Sequence, residues 1–152
     1  MQSIHEFFQE AIAHSRRESV MKDFLKTLEV SSFAKMSFDD IFWYVWRRRP
    51  EGVSKLGVYD ITSRIFRHHG GTVPLVYLVG NGPINSINKL GLQDKIKTRY
   101  VKRVGLKYIE INDVLEHVTG RGSANPDCKN NYTGSCIDGD ALETYLCVMH
   151  KV

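Results

Sequence analysis

The first half of the chain is a series of short apolar stripes at helical spacing. Each is opened by a capping residue or closed by proline, glycine or arginine, which restricts this half to short amphipathic helices. Ser3-x-x-Glu6 has the form of a capping box ahead of Phe7, Phe8, Ala11 and Ile12. It predicts a helix at roughly 4–15, with Arg16 and Arg17 complementing its C-terminal dipole. Val20, Phe24, Leu25 and Leu28 form the inward stripe of a second helix at about 19–29. Ser37-x-x-Asp40 repeats the box with a shorter acid. It opens a helix at about 38–48 in which Phe38, Ile41, Phe42 and Val45 face the core and Trp43, Tyr44 and Trp46 widen that face. Arg47-Arg48-Arg49-Pro50 closes it, because proline cannot continue a helix. The three arginines complement the helix dipole, form the rim of a basic surface, or do both.

The second half is less regular. Val58, Ile61, Ile65 and Phe66 mark a helix at about 58–68 that stops at Gly70-Gly71. The apolar run 74–79 reads equally as a strand or as the end of a buried helix. Pro83 and Gly91 frame a helix at about 83–90. Residues 98–104 and 106–111 suggest a small hairpin around Gly105, and Asn112 can cap a helix at about 113–118. A long loop at 119–139 and a last short helix from Ala141 to Val148 complete the chain. The expected fold is mostly α with minor β: a single compact domain, 1–152, of about six to seven short helices with a β-hairpin near 98–111.

Charge is unevenly placed. Residues 47–107 hold thirteen Lys/Arg against three Asp/Glu, whereas the flanks together hold eight against fourteen, within a net charge of +4. A concentrated positive field attracts phosphate-rich polymers, so nucleic acid is the expected partner and an acidic protein surface the alternative. No apolar stretch is long enough to span a bilayer. The first residues do not read as a secretory signal, which points to the cytoplasm of a cell or of a host infected by a virus or phage.

The segment from Leu78 to Leu90 (LVGNGPINSINKL) sets an apolar residue before a G-x-G turn and an i, i+3 apolar pair after it. Through Val79, Gly80, Gly82, Ile84 and Ile87 it resembles the hairpin and second helix of the helix-hairpin-helix DNA-binding motif. That resemblance implies that backbone N–H groups at Gly80, Asn81 and Gly82 contact a DNA phosphate. Glycine permits close backbone approach and positive φ, and a following helix directs unpaired N–H groups to the same spot. Lys89, Lys95, Lys97, Arg99, Lys102, Arg103 and Lys107 are the residues expected to neutralise neighbouring phosphates. No residue stands out as a reader of base edges, so binding to the backbone without strong sequence specificity is expected. The wider pattern Tyr59-Asp60-x-x-x-Arg64-Ile65, Val76-Tyr77-Leu78 and Gly82 resembles a family of small bacterial and phage proteins. That likeness implies a continuous folded unit over 57–92 and no particular activity.

Three further constellations remain. Cys128, Cys136, Cys147 and His150 are four zinc-type ligands, but their spacing lacks a C-x2-C knuckle, and an odd cysteine count argues against a disulfide framework. His68 and His69, near Tyr59 and Asp60, offer acid/base groups for a small enzyme acting on a phosphate-containing substrate; Asp60 and Arg64 also suit an i, i+4 ion pair. Trp43, Tyr44, Trp46 and Tyr100 lie beside arginines or lysines and, if exposed, suit base stacking. The chain carries no P-loop, G-x-S-x-G, H-E-x-x-H or full G-x-G-x-x-G signature, so no cofactor is expected and binding is favoured over catalysis.

Overall fold

The computed structural model describes residues 3–118 and 138–149, and these are mostly helical with a small antiparallel sheet. The chain divides into two compact units, Met1–Gly71 and Thr72–Val152. Among the described residues no helix is long and apolar enough to cross a membrane.

The first unit is all helical. It contains α1 (Ile4–Ala13), α2 (Glu18–Thr27), a 3-10 turn (Val30–Phe33), α3 (Phe38–Arg48) and α4 (Lys55–His68). Both expected boxes act as caps: the Ser3 hydroxyl accepts from the Glu6 amide and the Ser37 hydroxyl from the Asp40 amide, each at 3.1 Å. Helix α4 starts three residues earlier than its stripe suggests, because the Ser54 hydroxyl accepts from the Gly57 amide at 3.3 Å. Helices α3 and α4 pack face to face through Ile41, Phe42, Val45, Val58, Tyr59 and Ile65, all fully buried. Phe38 joins the two helices, with ring centroids 6.2 Å from Tyr59 and 5.9 Å from Phe66. On α2, Phe24, Leu25 and Leu28 face inward as expected. Val20 does not, because it lies at the solvent edge of that stripe.

The second unit is a three-stranded sheet with helices. Its elements are β1 (Val76–Tyr77), α5 (Asn81–Lys89), a 3-10 turn (Gln93–Lys95), β2 (Lys97–Val101), β3 (Val104–Ile109), α6 (Ile111–Val118) and α7 (Gly139–Met149). The strands run in the order β1-β3-β2, with both pairings antiparallel. The ambiguous run 74–79 therefore contributes a two-residue strand, paired as Val76 with Ile109 and Tyr77 with Tyr108. Val76, Leu78, Ile87, Leu92, Ile109, Val114, Leu142 and Leu146 form the core of this unit. The buried Ser86 hydroxyl on α5 donates to the Leu146 carbonyl on α7.

Three local expectations change. Asn112 lies inside α6 rather than capping it, since that helix begins at Ile111. Helix α7 begins at Gly139, where the Asp138 carboxylate accepts from the Ala141 amide at 3.0 Å and from the Val73 amide at 2.6 Å. Gly139 is pressed so closely on the Leu75 carbonyl that no Cβ fits there. The hairpin turns at Lys102-Arg103, not at Gly105, because Val101 pairs with Val104 and Gly105 lies within β3 opposite Tyr100.

Candidate nucleic-acid interface

Strand alternation and pairing decide where each cation of the basic segment goes. Residues 95–107 carry six Lys/Arg and no Asp or Glu. On β2, Lys97, Arg99 and Val101 share one face, and Thr98 and Tyr100 share the other. Directly paired residues share a face, so Leu106 and Tyr108 join the first set while Gly105 and Lys107 join the second.

The first face is largely structural. Its Leu106, Val101 and Val104 are buried. The Arg99 guanidinium is half-buried and donates from Nη1 to the Tyr77 hydroxyl at 3.1 Å, tying the two edge strands across β3. Lys97 Nζ stands 3.6 Å from Glu110 Oε1, a solvent-exposed pair whose attraction is screened. Two expected phosphate ligands thus have partners within the fold.

The second face is open around the hairpin. Thr98, Tyr100 and Lys107 are exposed, and the Tyr100 side chain leaves 66% of its residue surface in contact with solvent. Gly105 lies against the Tyr100 ring. A Cβ at that position would stand 3.3 Å from Tyr100 Cε1, so one edge of the ring leans over bare backbone. At the tip, Lys102 and Arg103 are exposed, and Lys102 holds a positive φ of 57°, which an L side chain adopts at a cost of about 1 kcal/mol. Lys95, on the 3-10 turn before β2, is exposed as well. The five residues of β2 span about 17 Å, so these charges line a ribbon rather than a point.

The glycine bend differs in form from the expected turn. Gly80 caps α5 with extended backbone (φ −96°, ψ 169°), and Asn81, Gly82 and Pro83 form the first helical turn. Neither Gly80 nor Gly82 has a positive φ. The element before the bend is strand β1, whereas the helix-hairpin-helix motif has a helix there. No side chain caps this end of α5, Asn81 is exposed and Pro83 offers no N–H. The bend does adjoin the hairpin: the Leu78 amide donates to the Lys107 carbonyl at 2.8 Å, two residues before Gly80. Lys89 is at the far end of α5, a helix length of about 12 Å from Asn81.

Several residues of the other constellations have structural partners, and some fall outside the described residues. Arg48 lies over the Tyr44 ring at 3.5 Å and Arg49 over the Trp46 ring at 3.4 Å, and both donate to carbonyls of the last turn of α3. These two arginines complete the helix end. Trp43, Tyr44 and Trp46 are half-buried, which leaves Tyr100 as the exposed member of the four aromatics. His69 Nε2 donates to the Val30 carbonyl at 2.6 Å and fastens the end of α4 to the 3-10 turn, while Tyr59 is fully buried. Cys128, Cys136 and His150 lie outside the described residues. Cys147 is half-buried on α7, and among the described residues no three His, Cys, Asp or Glu gather around a metal position. A recess of about 620 Å³ in the first unit, unforeseen from the sequence, lies between α1, α2 and the start of α4. Arg16, Arg17 and Glu51 give it both signs of charge.

The chain has no significant match among protein-family models, curated proteins or solved structures.

Proposed function

We propose that this protein binds nucleic acid through the phosphate backbone, with little sequence preference, using the β2–β3 hairpin. The observation that carries this reading is that five cations of an acid-free segment, Lys97 to Lys107, fall on one hairpin with Lys102 and Arg103 at its tip. Lys95, Lys102, Arg103 and Lys107 are the phosphate ligands, because Arg99 is tied to Tyr77 and Lys97 stands beside Glu110, whose charge repels phosphate. The first-turn amides of Asn81 and Gly82 add a weaker anion-attracting element at the start of α5, the helix that follows the strand paired with β3. The set holds no Asn, Gln, Asp or Glu for reading adenine or cytosine edges, which favours positioning on the backbone over direct readout.

The salt dependence of binding tests the reading. Four phosphate contacts give a log–log slope near −3.6 on duplex DNA, so affinity falls about 150-fold between about 50 and 200 mM salt. Replacing Lys102 and Arg103 by Glu abolishes retention while the fold persists. Binding that ignores salt, or survives the double reversal, removes the proposal. Capture of an acidic protein that resists nuclease treatment would instead favour the protein-docking alternative.

A further inference from the structure

We infer that the hairpin's ligand is a single strand, one of whose unpaired bases stacks on Tyr100. This rests on the nucleic-acid reading above and specifies its substrate class. Three observations carry it. Among the described residues, Tyr100 is the most exposed of the large apolar or aromatic residues with substantial exposure, at 66% against 37% for Val20 and 39% for Leu56. One edge of its ring lies beside Gly105, where a Cβ would stand 3.3 Å from Tyr100 Cε1 and 3.7 Å from Cδ1, so the ring has the strand backbone on one side. Cations flank it in the same hairpin: Lys107 lies on its own face, two pairs along, and Lys102 and Arg103 lie beyond Val101 at the tip.

That arrangement suits a strand with free bases. A supported aromatic ring presents a flat surface that every base can stack on, and the flanking cations follow the backbone as it passes. A duplex keeps its bases stacked on one another, so it engages the lysines and leaves the ring unused. The expected preference is therefore for single strands, with little dependence on base identity.

The test compares a labelled oligothymidylate of about ten nucleotides with a duplex of equal length, at about 50 mM salt. Wild-type protein is expected to hold the single strand more tightly. Tyr100→Phe keeps that preference. Tyr100→Leu preserves packing over Gly105 without an aromatic face, and it should weaken single-strand binding by about 5- to 100-fold while leaving duplex binding unchanged. Thermal melting of each variant separates loss of stacking from loss of fold. Equal binding of both probes, unaffected by Tyr100→Leu, overturns the stacking inference and leaves the phosphate-binding proposal standing. No binding of either probe by the folded wild-type protein overturns both.

Discussion

Arg99 separates a residue that builds the hairpin from those that use it, and a double-mutant cycle with Tyr77 makes the difference measurable. Its guanidinium donates at 3.1 Å to the hydroxyl of a tyrosine that is 1% exposed. A hydrogen bond from a charged donor contributes about 1.5–3 kcal/mol net, and the half-buried position of Arg99 places this one near the lower end. Arg99→Met keeps most of the side-chain volume and removes the donor, and Tyr77→Phe removes the acceptor alone. Each single variant should lose about 1–2 kcal/mol in urea titrations. The cycle should return a coupling of about 1 kcal/mol, the part of each loss that belongs to the shared contact. The melting midpoint should fall by about 3–8 °C for each single variant. The salt slope for nucleic acid should stay within about half a unit of wild type in Arg99→Met, because that side chain is not among the phosphate ligands. Unchanged stability together with a slope about one unit shallower would refute the assignment and return Arg99 to the binding set.

Two further substitutions test the packing that carries the site. Phe38→Ala empties a position in contact with the rings of Tyr59 and Phe66, and should cost about 3–5 kcal/mol in chemical denaturation; a loss below about 1 kcal/mol would deny Phe38 its place between α3 and α4. Gly139→Ala places a methyl group against the Leu75 carbonyl and should unfold the second unit or lower its melting midpoint by about 10 °C or more, whereas a midpoint within about 2 °C of wild type would mean that α7 starts elsewhere.

What the sequence made legible follows from how local each signal is. The caps at Ser3 and Ser37 and the inward stripe of α3 depend on residues three or four apart, and they appear in the fold as expected. Ser54 was missed because Gly57 occupies the place where a capping box carries an acid, so the cap has no side-chain signature. The β-rich composition predicts the hairpin but points to Gly105 as its turn. Register is set by which residues meet across the strands, and here Tyr100 leans over Gly105 while a lysine accepts the positive φ. The six cations of 95–107 look equivalent as a charge run. Only period-two alternation and the partner on β1 distinguish Arg99 from Lys107. The exposure of Tyr100 had a readable trace, since Thr98 and Tyr100 alternate with Lys97, Arg99 and Val101, but the direction of each face depends on the packed sheet. The G-x-G bend was correctly seen as the entrance to a helix. Its backbone differs because β1 leads into it in extended conformation.

The most direct measurement is the slope of log affinity against log salt for a duplex oligonucleotide, taken on wild type and on Lys102→Gln/Arg103→Gln. A slope near −3.6 that falls to about −1.8 in the double variant is the predicted result, one phosphate lost for each side chain neutralised. A slope that does not change when the hairpin tip loses both charges would contradict it.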